Sequence, residues 1–181
     1  REHTIRDISE SLRAHRFVTV VGPGGIGKTT VVVSAGHALL AEFAGHVHFI
    51  GLGETGNAAP VPAIVASSLG LLARSNDPTS SLATFLRDRR MLLILDCCEH
   101  VIEAVAAVAE RLHQAAPELH VLATSRELLR VEGEFTYRLP PLPSPPEKAV
   151  LTAADALAYP SVKLFVERAT ARGHSGHGAE S

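Results

Sequence analysis

Eight residues near the start of the chain constrain its fold more than any others. Residues 22–29 read Gly-Pro-Gly-Gly-Ile-Gly-Lys-Thr and satisfy the P-loop, or Walker A, pattern G-x-x-x-x-G-K-[ST] at every fixed position. The apolar run 17–21 precedes them, and a helix-like segment over 27–43 follows. Glycines let backbone N–H groups approach an anion, and the helix N-terminus faces the same anion, so this unit favours phosphate binding. The alternative is a glycine-rich turn that contains a lysine by coincidence.

Residue types within this loop predict separate roles. Lys28 supplies a mobile positive charge for the β- and γ-phosphates. The Thr29 hydroxyl is placed to ligate Mg²⁺, and Thr30 is expected to touch the α-phosphate. The predicted nucleotide-binding residues are Gly22, Gly24, Gly25, Ile26, Gly27, Lys28, Thr29 and Thr30.

Strand-like and helix-like segments alternate along the chain, which predicts an α/β fold with a largely parallel sheet. Segments rich in β-branched, aliphatic and aromatic residues predict five strands, at 17–21, 47–50, 91–95, 119–123 and 135–139. Five prolines within 140–146 then exclude a regular helix or a central strand. We expect a nucleotide-binding domain over 1–139, a Pro-rich connector with a C-terminal helix over 140–172, and a loose tail over 173–181.

The third predicted strand ends in Asp96, and ligands of open α/β sheets bind at the carboxyl ends of strands. An apolar strand followed by Asp is the usual second motif of phosphate sites, so Asp96 is predicted to hold Mg²⁺ together with Thr29. Cys97 occupies the next position, where a general base commonly stands. Two interpretations of Glu99 stay open: a general base, or a charge that favours the N-terminus of the next helix.

The fourth predicted strand runs into the polar sequence Thr124-Ser125-Arg126-Glu127 at the same edge of the sheet. The fork of the Arg126 guanidinium suits a γ-phosphate, so Arg126 is predicted to distinguish ATP from ADP. The alternative is a surface arginine paired with Glu127 or Glu132. The predicted catalytic group is Lys28, Asp96, Glu99 and Arg126.

Composition excludes several classes of protein. The 181 residues carry 17 basic and 19 acidic side chains, a balance that argues against a dedicated nucleic-acid binder. No apolar run reaches the roughly 18 residues of a membrane span. The cysteines, Cys97 and Cys98, are adjacent, which excludes a disulfide framework and favours the cytoplasm. The first residue is Arg1 and not Met, so we expect a segment of a longer protein.

Three segments together resemble the NB-ARC-type ATPases, which belong to the signal-transduction ATPases with numerous domains (STAND). They are Gly-Pro-Gly-Gly-Ile-Gly-Lys-Thr-Thr at 22–30, Leu-Leu-Ile-Leu-Asp-Cys-Cys-Glu-His at 92–100 and Ala-Thr-Ser-Arg-Glu at 123–127. Residues 139–143 and 164–169 resemble the ATPase module of large bacterial transcriptional regulators. The resemblance covers about residues 1–172.

This resemblance implies a P-loop NTPase three-layer sandwich, with a five-stranded, mainly parallel sheet in the order 5-1-4-3-2 and helices on both faces. ATP or ADP with Mg²⁺ would be the ligand, and Arg126 would match the sensor arginine. Arg1 and Glu2 resemble the end of a Gly-Arg-Glu segment that contacts the adenine side. Nucleotide exchange would switch a closed, ADP-bound state to an open, assembling one, which implies a nucleotide-dependent oligomer.

The chain also departs from the family pattern. No second acid follows Asp96, so we expect slow hydrolysis. A Gly-Leu-Pro-Leu-like motif, a winged-helix part and a DNA-binding domain do not occur before Ser181, so DNA contact would belong to another domain of the parent. We therefore predict a Mg-ATP/ADP-binding regulatory switch module with no membrane contact. The alternatives are a small P-loop phosphotransferase and a nucleotide-binding scaffold without hydrolysis.

Overall fold

The computed structural model describes residues 1–53, 60–71, 77–146 and 151–173. The chain divides into two compact units, Arg1–Leu139 and Pro140–Ser181. The helices of the first unit are α1 (Glu2–Ala14), α2 (Lys28–Leu39), α3 (Val61–Ser68), α4 (Pro78–Leu86) and α5 (Ile102–Ala115). Its strands are β1 (Phe17–Val21), β2 (Val47–Gly51), β3 (Met91–Asp96), β4 (Leu119–Ser125) and β5 (Phe135–Arg138).

The five strands form one parallel sheet in the order β2-β3-β4-β1-β5. This is the predicted order read from the opposite edge, and it confirms the predicted fold class. In the register of β3 and β4, Leu95 lies beside Ala123. The ends of β1, β3 and β4 therefore lie side by side, and the residues that follow them share one edge of the sheet.

Helices cover both faces of the sheet, which explains why β1 and β3 are buried at every residue. On one face the core joins the sheet to α1 and α2, through side chains such as Ile8, Leu12, Val31, Val32 and Leu39. On the other face it joins the sheet to α3, α4 and α5, through side chains such as Val65, Leu82, Leu86, Val105 and Leu112. The predicted three-layer sandwich is thus observed.

The helix after the glycine-rich loop is shorter than predicted. The apolar pattern predicts a helix to residue 43, whereas α2 ends at Leu39. Residues 40–45 form a turn segment instead, which closes at Ala44 and Gly45, both in the left-handed region with φ of 51° and 82°. The Gly45 N–H donates to the Leu40 carbonyl at 2.8 Å, so the chain turns toward β2 within residues that the apolar pattern assigned to the helix.

The second unit contains two helices, α6 (Ala153–Leu157) and α7 (Pro160–Gly173). Thr152 and Asp155 form a capping box at the start of α6. Pro160 begins α7, where its missing N–H has no helical partner to lose. The predicted tail lies outside the described residues beyond Gly173. Across the ranges that the structure describes, no helix is both long enough and apolar enough to cross a membrane.

Candidate functional site

The glycine-rich loop joins β1 to α2 through two left-handed positions. Gly25 has a φ of 75° and Gly27 a φ of 97°, values that side chains with a Cβ rarely adopt. Gly27 is also the N-cap residue of α2. The loop thus brings the chain round to the helix N-terminus, where backbone N–H groups without helical partners and the positive end of the helix dipole are found.

Lys28 folds back across the start of this loop. Its Nζ donates to the Gly22 carbonyl at 2.8 Å and to the Pro23 carbonyl at 3.1 Å, and the residue is only 8% exposed. An ammonium group has three donors, so this arrangement leaves one N–H for an anion. The positive charge is held at the loop by two neutral acceptors.

Thr29 and Asp96 meet at the end of β3. The Thr29 hydroxyl lies 2.9 Å from each Asp96 carboxylate oxygen, and Asp96 is 6% exposed. Mg²⁺ takes oxygen ligands at 2.0–2.1 Å in octahedral geometry, which separates neighbouring ligand oxygens by about 2.9 Å. The two oxygen donors predicted to hold Mg²⁺ therefore lie at a separation that fits this ion.

Thr124 fixes the Asp96 carboxylate from the neighbouring strand. Its fully buried hydroxyl donates to Asp96 Oδ1 at 2.6 Å and accepts from the Cys97 N–H at 2.9 Å. Sequence reasoning placed Thr124 at the nucleotide edge but missed this contact. The contact follows from the register of β3 and β4, in which Leu95 lies beside Ala123 and the next residues are Asp96 and Thr124. The sequence alone carries no signal for this register.

The two cysteines beside this carboxylate remain thiols. Cys97 adopts a left-handed φ of 61°, and its Sγ lies 3.5 Å from Asp96 Oδ2. Burial and the Asp96 charge raise the pKa of the Cys97 thiol above its usual range. Burial raises the pKa of Cys98 far above its usual range as well. A protonated thiol is a poor base and a poor nucleophile, so neither side chain is equipped for chemistry at neutral pH.

Arg126 pairs with Glu99 at the rim of the loop. Arg126 Nε lies 3.1 Å from Glu99 Oε1, with the Arg126 side chain 60% exposed and the Glu99 side chain 10% exposed. A Cβ built on Gly24 would lie 3.4 Å from Arg126 Nη2, so the guanidinium also flanks the loop. Within the described residues the ion-pair partner is Glu99, whereas the surface interpretation named Glu127 or Glu132.

The other predicted residues surround this group. Ile26 offers its carbonyl to Arg1, whose Nη2 donates at 2.9 Å, so the first residue of the chain contacts the loop. Thr30 is exposed on the first turn of α2. The Gly22 N–H donates to the Ser125 carbonyl at 3.3 Å and ties the loop to the end of β4.

Comparison with known proteins identifies the family. Residues 1–131 match the model of the NB-ARC domain. The chain belongs to the NB-ARC family. Proteins named HTH-type transcriptional regulators in Mycobacterium bovis and Mycobacterium tuberculosis are 36% identical to it over 160 residues, which is 88% of this chain and 16% of each relative. An uncharacterised protein of Mycobacterium bovis is 31% identical over 170 residues, 93% of this chain and 40% of that protein.

A solved structure supports the same fold for this NB-ARC chain. It is a STAND protein with a tetratricopeptide repeat sensor from Pyrococcus horikoshii, with a TM-score of 0.56 and 17% sequence identity. The match covers 79% of this chain and 23% of that one. Against the curated regulators named above, the match of the NB-ARC chain spans about a sixth of their length.

Proposed function

We propose that this NB-ARC chain is the Mg-ATP/ADP-binding regulatory switch module of a larger bacterial transcriptional regulator. The observation that carries the proposal is the contact of Thr29 with the buried Asp96, next to a buried Lys28 that folds over the phosphate loop. A hydroxyl, a carboxylate and an ammonium in this arrangement supply the ligands for a metal ion and the charge for a triphosphate. Mg²⁺ would neutralise the phosphate charge when it is bound.

Slow hydrolysis is part of the proposal. The position after Asp96 holds a protonated thiol, and one oxygen of Glu99 is engaged by Arg126. Orienting and deprotonating water needs a carboxylate oxygen with a free lone pair near the γ-phosphate. Glu99 Oε2 has no hydrogen-bond partner in the described residues but is buried, so neither oxygen of Glu99 is open to a water molecule, and we assign a weak ATPase activity at most. The buried Lys28 and Asp96 argue against a scaffold that does not bind nucleotide.

The surroundings of the module follow from its relatives. The regulators that it matches are about six times as long, so we propose that further helical, winged-helix and DNA-binding domains belong to the parent chain. DNA contact is then a property of another domain, and a nucleotide-dependent oligomer is the assembled state. ATP is abundant in the cytoplasm, which is the compartment we propose.

The test is nucleotide binding by a Lys28→Ala variant, measured by titration calorimetry with ATP and with ADP in the presence of Mg²⁺. A charge-assisted hydrogen bond contributes about 1.5–3 kcal/mol, so we expect affinity to fall roughly 10- to 100-fold. Lys163→Ala, which removes an exposed lysine from α7, is the matched control and should leave both affinities unchanged. Equal affinities in the Lys28→Ala variant and the unaltered protein would contradict the proposal.

A further inference from the structure

Arg126 lies between two parts of the site. One is Glu99, which its Nε contacts at 3.1 Å. The other is the space over the phosphate loop, because the Arg126 guanidinium lies against Gly24. Arg126 Nε contacts Glu99 and Arg126 Nη2 is the atom nearest a Cβ built on Gly24, so a terminal phosphate bound in the loop would approach the same guanidinium that Glu99 holds.

We propose that Glu99 competes with the terminal phosphate of a bound nucleotide for Arg126, and that this competition sets the preference for triphosphate over diphosphate. The inference rests on the proposed function, since it assumes that the loop binds nucleotide. ADP lacks the competing phosphate and leaves the pair intact. In the proposed triphosphate state the guanidinium turns from Glu99 to the phosphate, so part of the free energy of ATP binding is used to break the pair.

The contact between Arg126 and Glu99 has the geometry of an ion pair that can separate. Only one hydrogen bond joins the two groups, Nε to Oε1, whereas a strong arginine–carboxylate pair is bidentate. Glu99 Oε2 is buried and has no hydrogen-bond partner in the described part of the chain. Arg126 is 60% exposed, and exposed ion pairs contribute little to stability.

The same geometry explains why opening has a cost. Glu99 is nine-tenths buried, so the departure of Arg126 leaves a largely buried carboxylate without its counter-charge. That cost lowers the affinity for ATP and not the affinity for ADP. Replacing Glu99 with its uncharged isostere removes the competition and should favour ATP.

A double-mutant cycle on the full chain tests this competition, with dissociation constants for Mg-ATP and Mg-ADP from calorimetry. We expect Glu99→Gln to tighten ATP binding roughly three- to fivefold, the size of a partly exposed ion pair, and to change ADP binding less than twofold. In the Arg126→Ala background the same substitution should leave the ratio of the two affinities unchanged. Arg126→Ala alone should weaken ATP binding selectively.

Glu127→Gln is the matched charge control, because it removes an exposed carboxylate next to Arg126 in sequence. It should not alter the ATP to ADP ratio. A gain for ATP that persists in the Arg126→Ala background would mean that Glu99 simply repels the triphosphate, which overturns the inference. A loss of ATP preference in Glu99→Gln would mean that Glu99 holds Arg126 toward the phosphate, which also overturns it.

Failure of the proposed function gives a different result. A chain that binds neither nucleotide overturns both the function and the competition. A chain that binds ATP and ADP but shows no coupling between Glu99 and Arg126 overturns the competition alone. If circular dichroism shows that Glu99→Gln is unfolded, Glu99→Asp is the second variant. It withdraws the carboxylate from the 3.1 Å contact by one methylene group and should also tighten ATP binding relative to ADP binding.

Discussion

Thr124 offers a sharp test of how the carboxylate at the end of β3 is held. Its hydroxyl is fully buried, donates to Asp96 Oδ1 at 2.6 Å and accepts from the Cys97 N–H at 2.9 Å. Thr124→Val keeps the shape of the side chain and deletes both hydrogen bonds. We expect this single change to destabilise the fold strongly although it touches no helix and opens no cavity.

The magnitude follows from the two lost contacts. A hydrogen bond to a charged group contributes about 1.5–3 kcal/mol, and a buried N–H left without a partner costs about 1–3 kcal/mol. Burying a methyl group in place of the hydroxyl stabilises the fold by at most about 1 kcal/mol. We therefore expect a loss of about 2–4 kcal/mol, against a total stability of about 5–15 kcal/mol for an ordinary domain.

Thr19 provides the matched control on the neighbouring strand β1. Thr19 is also fully buried, but its Oγ1 has no hydrogen-bond partner within the described residues. Thr19→Val replaces an unsatisfied hydroxyl by a methyl group of the same size. This change should leave the free energy of unfolding unchanged or raise it by about 1 kcal/mol.

Urea unfolding followed by circular dichroism measures both effects. With an unchanged dependence on urea, the midpoint of Thr124→Val should fall and that of Thr19→Val should stay or rise. Equal midpoints for the two variants would refute the reasoning, because they differ only in whether the hydroxyl has partners. A second readout is the Mg²⁺ dependence of ATP affinity, which Thr124→Val should weaken, since Asp96 loses its orienting contact.

Two further predictions concern packing and pH. A Cβ on Gly36 would lie 2.6 Å from Ile94 Cδ1, and Ile94 is 2% exposed, so its side chain can move only within the packed core. Gly36→Ala should therefore lower the urea midpoint, because overpacking costs about 1–3 kcal/mol and outweighs a helix propensity gain of about 1 kcal/mol. A raised midpoint would contradict this. Burial lowers the pKa of His113, with help from Arg16, and of His120. The stability that the two neutral histidines contribute to the fold is therefore present above the unfolded pKa of about 6.5. It is lost as pH falls through the lowered folded values. The double variant His113→Gln, His120→Gln should flatten the fall of the urea midpoint between pH 7 and pH 5, and an unchanged slope would count against it.

The parts of the site that are local in sequence could be predicted from it. The glycine-rich loop can be recognised because its glycines, Lys28 and Thr29 occupy the fixed positions of one short sequence pattern. Asp96 could be placed because an apolar run leads directly into it. The order of the strands in the sheet could not be predicted in this way. The alternation of strand-like and helix-like segments shows how many strands there are but not which ones are neighbours. The order 5-1-4-3-2 came from the resemblance to a family, and the sheet confirms it.

Contacts between elements could not be predicted, because they depend on register. The contact of Thr124 with Asp96 exists because β3 and β4 are neighbours with Leu95 beside Ala123. The pairing of Arg126 with Glu99 depends on where two separate turns bring their side chains. Sequence reasoning offered a base or a helix-terminus charge for Glu99, and for Arg126 either a γ-phosphate or the acids Glu127 and Glu132. Neither alternative named the acid that Arg126 contacts.

The turn after Asp96 explains how that acid reaches Arg126. Cys97 takes a left-handed conformation directly after the strand, and the chain enters a short 3₁₀ turn, Cys98–His100, that packs against β4. Glu99 is thereby brought to the strand that leads into Arg126. An acid at position 97 would add a second negative charge beside Asp96, whereas the acid at position 99 is balanced by a guanidinium.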